Sequence, residues 1–508
     1  MSRRPKIARV RRVLIANRGE IAVRVIRTLR ERGITSVAVF SEPDREALHV
    51  LLADEAYPIG PGPARESYLN PERVLETARR VKADAVHPGY GFFAENAAFA
   101  HTCAEAGLLF IGPPADVIAR LGDKLAAREI ARRAEVPLIP ASPGPLAGVD
   151  EAGKAARAIG FPVMLKAAAG GGGKGMRIVS TEAELAAAWE LARGEARAAF
   201  DDDRIYVERF IERPRHVEAQ ILADAKGHVA FLGERECSVQ RRHQKLLEET
   251  PCPAFDPATR SAFADAACRI AKTAGYVGVG TIEFLLDADG HFYFLEVNTR
   301  LQVEHPVTEM VTGLDLVAEQ IRVAEGDALW FGGDPPAPRG CAIEARILAE
   351  DPANHFLPSA GRIDRLRLPQ GPGVRNDSGV TQGFQVPVFY DSLLSKLIVW
   401  GPDREIARRR LLRALDETVL EGVHHNLVFH RWLAAHPAFT SARLSTRFLE
   451  EHFTAAALEP SPEAAEVALI AAALHARHER AAVALPAENR GRSPWRWAER
   501  GRGPGARR

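Results

Sequence analysis

Apolar residues in the first third of the chain recur with two alternating patterns. Val13–Ala16 and Ser36–Phe40 are short apolar runs that read as buried strands. Between them, Glu20–Arg32 reads as a helix: Ile21, Val25, Ile26 and Leu29 fall on one stripe, arginines cover the other side, and Gly33 stands at the stop position. Ala83–Val86, running into the turn His87-Pro88-Gly89-Tyr90-Gly91, and Leu108–Ile111 read as further strands. Strands separated by helices predict βαβ units and a parallel sheet, an α/β arrangement. Residues 137–150 carry four prolines and two glycines and read as a linker. Beyond it, short strands sit close to glycine loops and hairpin turns with helices interspersed, an α+β pattern. Leu366–Val386 reads as loops and short strands, Arg404–Leu415 as a helix, Pro460–Ala482 as an Ala-rich helix, and Asn489–Arg508 as a mobile Arg/Gly/Pro tail.

Two local patterns carry chemistry. The first is Lys166-Ala-Ala-Ala-Gly170-Gly171-Gly172-Gly173-Lys174-Gly175. Successive glycines expose backbone N–H groups and permit positive φ, which suits a loop wrapped over phosphates. Met176–Val179 after it reads as a strand rather than a helix, which argues against a dinucleotide fingerprint, and Gly175 after Lys174 excludes a Walker A loop. A glycine hairpin flanked by lysines, followed by a helix at the capping box Thr181-x-x-Glu184, reads as a mobile phosphate lid. The second is the pair of apolar strands Thr281–Leu286 and Phe292–Asn298, joined across Asp289-Gly290. A two-residue turn there sets Glu283 opposite Glu296; a three-residue loop shifts the register by half a step and keeps the pair close. Asn298 and Arg300 follow Glu296 at period two on the same face. Opposed carboxylates in an apolar hairpin repel, and hard divalent cations such as Mg²⁺ relieve that repulsion while holding nucleotide phosphates.

Composition narrows the setting. The 508 residues are 46% hydrophobic and 26% charged with a net charge of +1, so nothing global points to nucleic acid, a membrane surface or disorder. The five cysteines are dispersed without a CxxC pair, which argues against a disulfide framework or zinc site and fits a reducing, cytoplasmic setting. The basic N-terminus precedes an apolar run too short for a signal peptide. Two polar clusters remain: Gln240-Arg-Arg-His243-Gln-Lys245, and Glu296-Val-Asn298-Thr-Arg300-Leu-Gln302-Val303-Glu304-His-Pro306.

Val13-Leu-Ile-Ala-Asn17-Arg18-Gly19-Glu20, His87-Pro-Gly-Tyr-Gly-Phe-Phe-Ala-Glu95-Asn96, Gly122-Asp123-Lys124, the glycine loop and both polar clusters together resemble biotin carboxylase, over about residues 11 to 455. The resemblance implies an ATP-grasp fold. Its parts are a βαβ pre-ATP-grasp domain at 11–122, an ATP-grasp domain at 123–330 with its lid at about 138–212, a C-terminal domain at 331–455, and a helical segment and tail at 456–508. It implies that Lys124 and Lys166 contact ATP phosphates, with Gly170, Gly171, Gly172 and Gly173 closing over them. It further implies that Glu208, His216, Gln240 and His243 line the nucleotide site. It implies that Glu283 and Glu296 hold two Mg²⁺ or Mn²⁺ ions with Asn298 nearby, and that Lys245, Arg300, Gln302 and Val303 bind bicarbonate. On the same resemblance, Glu304 is expected to be the general base and Arg346 to face the ureido oxygen of biotin. Arg209, Phe210, Ala169 and Ala360 depart from the family's usual residues, none at a catalytic position. No methionines flank a lysine as in a biotinylation site, so biotin is expected from a separate carrier protein or free. The implied partners are a biotin carboxyl carrier protein, carboxyltransferase subunits and a second copy in a homodimer, in fatty-acid or acyl-CoA metabolism, most simply as part of acetyl-CoA carboxylase. An ATP-grasp ligase joining another carboxylate to an amine, and a non-catalytic ATP-binding assembly subunit, are the competing readings; the full bicarbonate set and the intact base argue against them.

Overall fold

The computed structural model describes residues 9–168 and 175–483. Contacts divide the chain into two units, Met1–Thr454 and Ala455–Arg508. In the first, a five-stranded parallel sheet opens the chain: β1 (Arg12–Ile15), β2 (Thr35–Phe40), β3 (Glu55–Pro58), β4 (Ala85–His87) and β5 (Leu109–Phe110), in the order β3-β2-β1-β4-β5. The helix α1 (Gly19–Glu31) crosses between β1 and β2 with Ile21, Val25, Ile26 and Leu29 buried, as the stripe predicts. The edge strand β3 has no counterpart in the sequence pattern. Glu-Ala-Tyr-Pro has neither an apolar run nor clean alternation, and it pairs because β2 offers it a free edge.

A small antiparallel sheet follows, with β6 (Val163–Ala167) between β7 (Met176–Val179) and β8 (Ile205–Arg209). Helices Val149–Ile159 and Leu185–Phe200 cover it, and Trp189 is 2% exposed within its core. Residues 137–150 are more than a linker: Leu138 bridges Phe294, and Ala141 and Leu146 bridge Glu208 and Ile205. The Thr181/Glu184 cap begins as one 3-10 turn before the α-helix, with Glu184 accepting the Ser180 N–H. Residues 169–174, which include Gly170, Gly171, Gly172 and Gly173, lie outside the described residues.

The largest element is an eight-stranded antiparallel sheet. Its strands are β9 (Arg215–Ala223), β10 (Val229–Arg241), β11 (Gln244–Thr250), β12 (Gly278–Leu286), β13 (Phe292–Asn298), β14 (Cys341–Leu348), β15 (Val374–Ser378) and β16 (Leu393–Gly401). They run in the order β13-β12-β9-β10-β11-β14-β16-β15. Hydrogen bonding is therefore continuous from the carboxylate hairpin to residues near 400, through β11 pairing with β14. Leu366–Val386 holds short strands and loops, and Arg404–Glu417 is a helix, both as expected. In the second unit the Ala-rich segment is the helix Pro462–Val483, and the expected tail at 489–508 lies outside the described residues. Among the described residues no helix is long and apolar enough to cross a membrane.

Candidate active site

The hairpin β12–β13 brings Glu283 and Glu296 into register, but not through a two-residue turn. Leu286 pairs with Phe292, and the Asp287 N–H donates to the His291 carbonyl, so the loop is the three-residue alternative; within it Gly290 takes a positive φ of 86° and Asp287 accepts from the N–H groups of Asp289 and His291. A bulge between Phe284 and Glu283 then shifts the register by one, so Glu283 meets Glu296, Ile282 meets Val297 and Thr281 meets Asn298. Both acids face the same cleft, which has a volume of about 620 Å³.

The two carboxylates have different environments. Glu283 accepts from Lys245 Nζ at 2.9 Å and Gln302 Nε2 at 3.1 Å, and its other oxygen lies 2.9 Å from His216 Nε2. Burial alone would push it up, but Lys245 and His216 hold it well below the usual carboxylate range. The same contact overcomes burial at His216 and pushes the imidazole upward. Glu296 has no hydrogen bond to its carboxylate among the described residues, and burial and the charge of Glu283 push its pKa up. Beside them the Asn298 amide oxygen accepts from Arg300 at 3.0 Å, while its buried amide nitrogen has no partner among the described residues. An acid with excess negative charge beside it, in a set of hard oxygen donors, fits a divalent cation of the Mg²⁺ or Mn²⁺ class.

On the cleft floor, Lys245 Nζ lies within hydrogen-bonding distance of Glu218, Glu283 and Glu304, the last at 2.7 Å. Glu304 has no exposed surface and uses its second oxygen to accept from Arg346 at 2.9 Å. Burial favours its protonated form, but Lys245, Arg346 and Arg235 keep it ionised well below the usual range. Arg346, on β14, also binds Glu248, whose pKa is raised to about 7 because burial outweighs that partner. Arg300 is held by Glu95 at 2.8 Å and by Gln302 at 2.9 Å. Val303 lines the cleft and its carbonyl accepts from Lys396.

The remaining candidates form a second group. Lys124 opens the helix Lys124–Arg133, which Asp123 caps at the Ala126 N–H, and feels the charges of Glu296 and Glu208. Lys166 on β6 pairs with Glu208 on β8, which also takes Arg128 at 2.6 Å. Gln240, one residue before the end of β10, stands opposite Lys245 in register. His243 occupies the turn after it, where Arg242 and His243 both have positive φ, 47° and 68°. Two non-glycine residues held in the left-handed region are strained, and such turns concentrate at working sites.

Profiles of known domains match in three consecutive blocks: the biotin carboxylase N-terminal domain over residues 9–118, the carbamoyl-phosphate synthase L chain ATP-binding domain over 123–331, and the biotin carboxylase C-terminal domain over 344–451. The biotin carboxylase of a Nostoc species is 52% identical over 440 residues, covering 87% of this chain and 98% of its own. The chain belongs to the biotin carboxylase family. Two further similarities extend the comparison. The propionyl-CoA carboxylase alpha chain of Ruegeria pomeroyi is 45% identical over 487 residues, 91% of this chain and 72% of that one. The biotin carboxylase domain dimer of the Hydrogenobacter thermophilus 2-oxoglutarate carboxylase, solved with magnesium ADP, ADP and bicarbonate, superposes with a TM-score of 0.86 at 45% identity, covering 89% and 99% of the two chains.

This member of the biotin carboxylase family also contains charged residues at the site that the sequence pattern does not single out. Arg235 is fully buried; its guanidinium binds Glu218 and Gln220 and reaches Thr281 and Thr308, each at 3.0 Å. Lys396, also fully buried, pairs with Glu20 of α1 at 3.2 Å. A signal existed for Lys396, a charged residue inside an otherwise largely apolar strand, because a charge in a core strand requires a partner; Arg235 sits between Glu234 and Glu236, where no such contrast marks it. Burial outweighs Lys396 and raises Glu20 from near 4.5 to about 7. Below the lower value Glu20 is protonated folded or unfolded; between the two the folded state retains the proton, so its contribution to stability falls as pH rises. The Tm of wild type relative to Glu20→Gln is therefore expected to fall between pH 5 and pH 8, by the equivalent of at most about 3 kcal/mol. Thermal melts of both across that range check this; parallel curves contradict it.

Proposed function

We propose that this chain carboxylates biotin, using ATP and bicarbonate, as the first half-reaction of an acyl-CoA carboxylase. The observation that carries the reading is the convergence, in one cleft, of the facing pair Glu283/Glu296 with Lys245, Arg300, Glu304 and Arg346. A permanently charged guanidinium, an ammonium and a buried carboxylate together suit a small anion that must be both bound and deprotonated.

Glu283 and Glu296, with Asn298 beside them, would hold the metal ions, which when bound neutralise charge on the phosphoryl group being transferred. Lys124 and Lys166 add fixed positive charge on the phosphate side. Lys166 is freed from Glu208, and the nucleotide's anionic oxygens replace that carboxylate. Lys245 and Arg300 take bicarbonate. Glu304 removes its remaining proton as it attacks the γ-phosphorus, giving carboxyphosphate and ADP. With its neighbours in place Glu304 is a weak base, because Lys245 and Arg346 stabilise its anion. Binding an anion at Lys245 and a ureido oxygen at Arg346 draws on both cations, so the carboxylate becomes more basic as each substrate binds and most basic with both. Carboxyphosphate then releases CO₂ and phosphate, phosphate takes the biotin N1′ proton, and Arg346 stabilises the enolate-like ureido oxygen.

Biotin arrives on a separate carrier protein, and a carboxyltransferase receives the product; the chain works as a homodimer. The acyl acceptor, most simply acetyl-CoA, is selected by that transferase rather than by any residue of this cleft. ATP turnover that requires bicarbonate and rises with free biotin supports the reading; turnover indifferent to both contradicts it. Glu296→Gln separates the metal's part. It removes the repulsion with Glu283, so the nucleotide-free protein is expected to gain about 1 kcal/mol while ATP turnover falls and its Mg²⁺ requirement rises. Thermal melts and a Mg²⁺ titration of the rate check both signs.

A further inference from the structure

Lys396 has no exposed surface, although the strand that carries it, β16, is otherwise largely apolar. In the sheet it stands opposite Arg346 on one side and Asp377 on the other. Its Nζ donates to the Val303 carbonyl at 2.9 Å and lies 3.2 Å from Glu20 Oε2, against 3.9 Å from Asp377. Asp377 is already engaged by the two nitrogens of Arg375 at 3.0 and 2.7 Å, whereas the Glu20 oxygens have no hydrogen-bond partner among the described residues and Lys396 is their ion-pair partner. Burying an ammonium is unfavourable unless it is paired, and an apolar side chain would fill a core strand as well, so stability does not account for a charge here.

What Lys396 holds does account for it. The Val303 carbonyl belongs to the peptide that joins Val303 to Glu304. Under the proposed function one of these residues binds bicarbonate and the other removes its proton, and the role of Lys396 rests on that function. We propose that Lys396, steadied by Glu20, is a positioning residue for the carboxylation. By fixing this one peptide it holds the backbone of Val303, which lines the cleft, and that of Glu304 in one arrangement beside the bicarbonate pocket. It touches neither substrate and acts through Val303 and Glu304. The arrangement also ties the Asn17-Arg18-Gly19-Glu20 segment, at the start of the first domain, to the base nearly three hundred residues later.

The test is steady-state kinetics of the full chain with ATP, bicarbonate and free biotin, for wild type, Lys396→Met, Lys396→Arg and Glu20→Gln, with ADP affinity measured separately by calorimetry. Lys396→Met is expected to lower kcat/KM for bicarbonate about a hundredfold while the KM for ATP and the ADP affinity change less than about twofold. Lys396→Arg, which keeps a donor and a charge, recovers part of that loss, and Glu20→Gln shows a smaller loss confined to bicarbonate. A folded Lys396→Met with unchanged bicarbonate kinetics, or with ATP and bicarbonate parameters falling together, overturns the proposal. If that variant does not fold, Glu20→Gln decides: a loss confined to bicarbonate supports the proposal, and no loss or a parallel loss overturns it. A wild type that lacks bicarbonate-dependent ATP turnover fails the functional reading itself, before any variant is compared.

Discussion

Glu304→Gln is expected to slow bicarbonate-dependent ATP turnover by about 10²- to 10⁴-fold, the usual contribution of a positioned general base. The amide keeps the size of the side chain and its acceptor oxygen but removes its affinity for a proton. Glu304 lies at the junction of Lys245 and Arg346, so its loss also changes the local charge. Lys245 retains Glu218 and Glu283, and Arg346 retains Glu248, so neither cation is left unpaired. The fold should survive, and ADP affinity should stay near that of wild type. Rapid-quench ATP turnover with calorimetry on the same preparation checks both. A variant that still turns over ATP at the wild-type rate removes Glu304 from the chemistry, and one that loses ADP binding assigns it a structural role.

Arg346→Met should separate the two halves of the reaction. Bicarbonate-dependent ATP cleavage continues slowly without biotin, whereas stimulation by biotin is lost by about 10²- to 10³-fold, the scale for removing one donor to a developing oxyanion. The substitution has a second cost. Glu248 is fully buried and Arg346 is its ion-pair partner, so a lone Arg346→Met leaves an unpaired acid, a situation that costs about 3–5 kcal/mol. Glu248 already has a pKa of about 7 and escapes part of that penalty by protonating, so the loss of stability is greatest above neutral pH. Arg346→Met with Glu248→Gln is expected to recover the stability without recovering the biotin response. Melts at pH 6 and pH 8, beside ATP turnover with and without biotin, read the two effects separately. If the double variant regains biotin stimulation, Arg346 acts only as a structural partner of Glu248.

The facing acids show how far the sequence could be read. An Asp-Gly between apolar strands predicts a hairpin, and the sign of the result, Glu283 opposite Glu296, is correct. The route is the three-residue alternative: that loop offsets the register by half a step, as expected of it, and a bulge, which alternation alone does not encode, restores it. Arg300 follows Glu296 at period two on the same face, whereas the roles of Gln302 and Glu304 are legible only through the family resemblance, since a polar run alone does not distinguish a site from a surface loop. The pairs Lys396 with Glu20, Arg235 with Glu218, and Arg128 with Glu208 were not legible, because an ion pair between distant segments leaves no period in the chain. Edge strand β3 was hidden for a related reason, since its pairing depends on β2 more than on its own residues. Both failures are of long-range pairing, and both bear on what holds the cleft together rather than on what it contains.

The most direct measurement traces the oxygen atoms. If Glu304 drives bicarbonate onto the γ-phosphorus, turnover in ¹⁸O-labelled bicarbonate and ordinary water transfers one labelled oxygen from bicarbonate to each inorganic phosphate formed with biotin present. Phosphate carrying that single label is the predicted result. Phosphate carrying none, with its new oxygen drawn from water, contradicts the account.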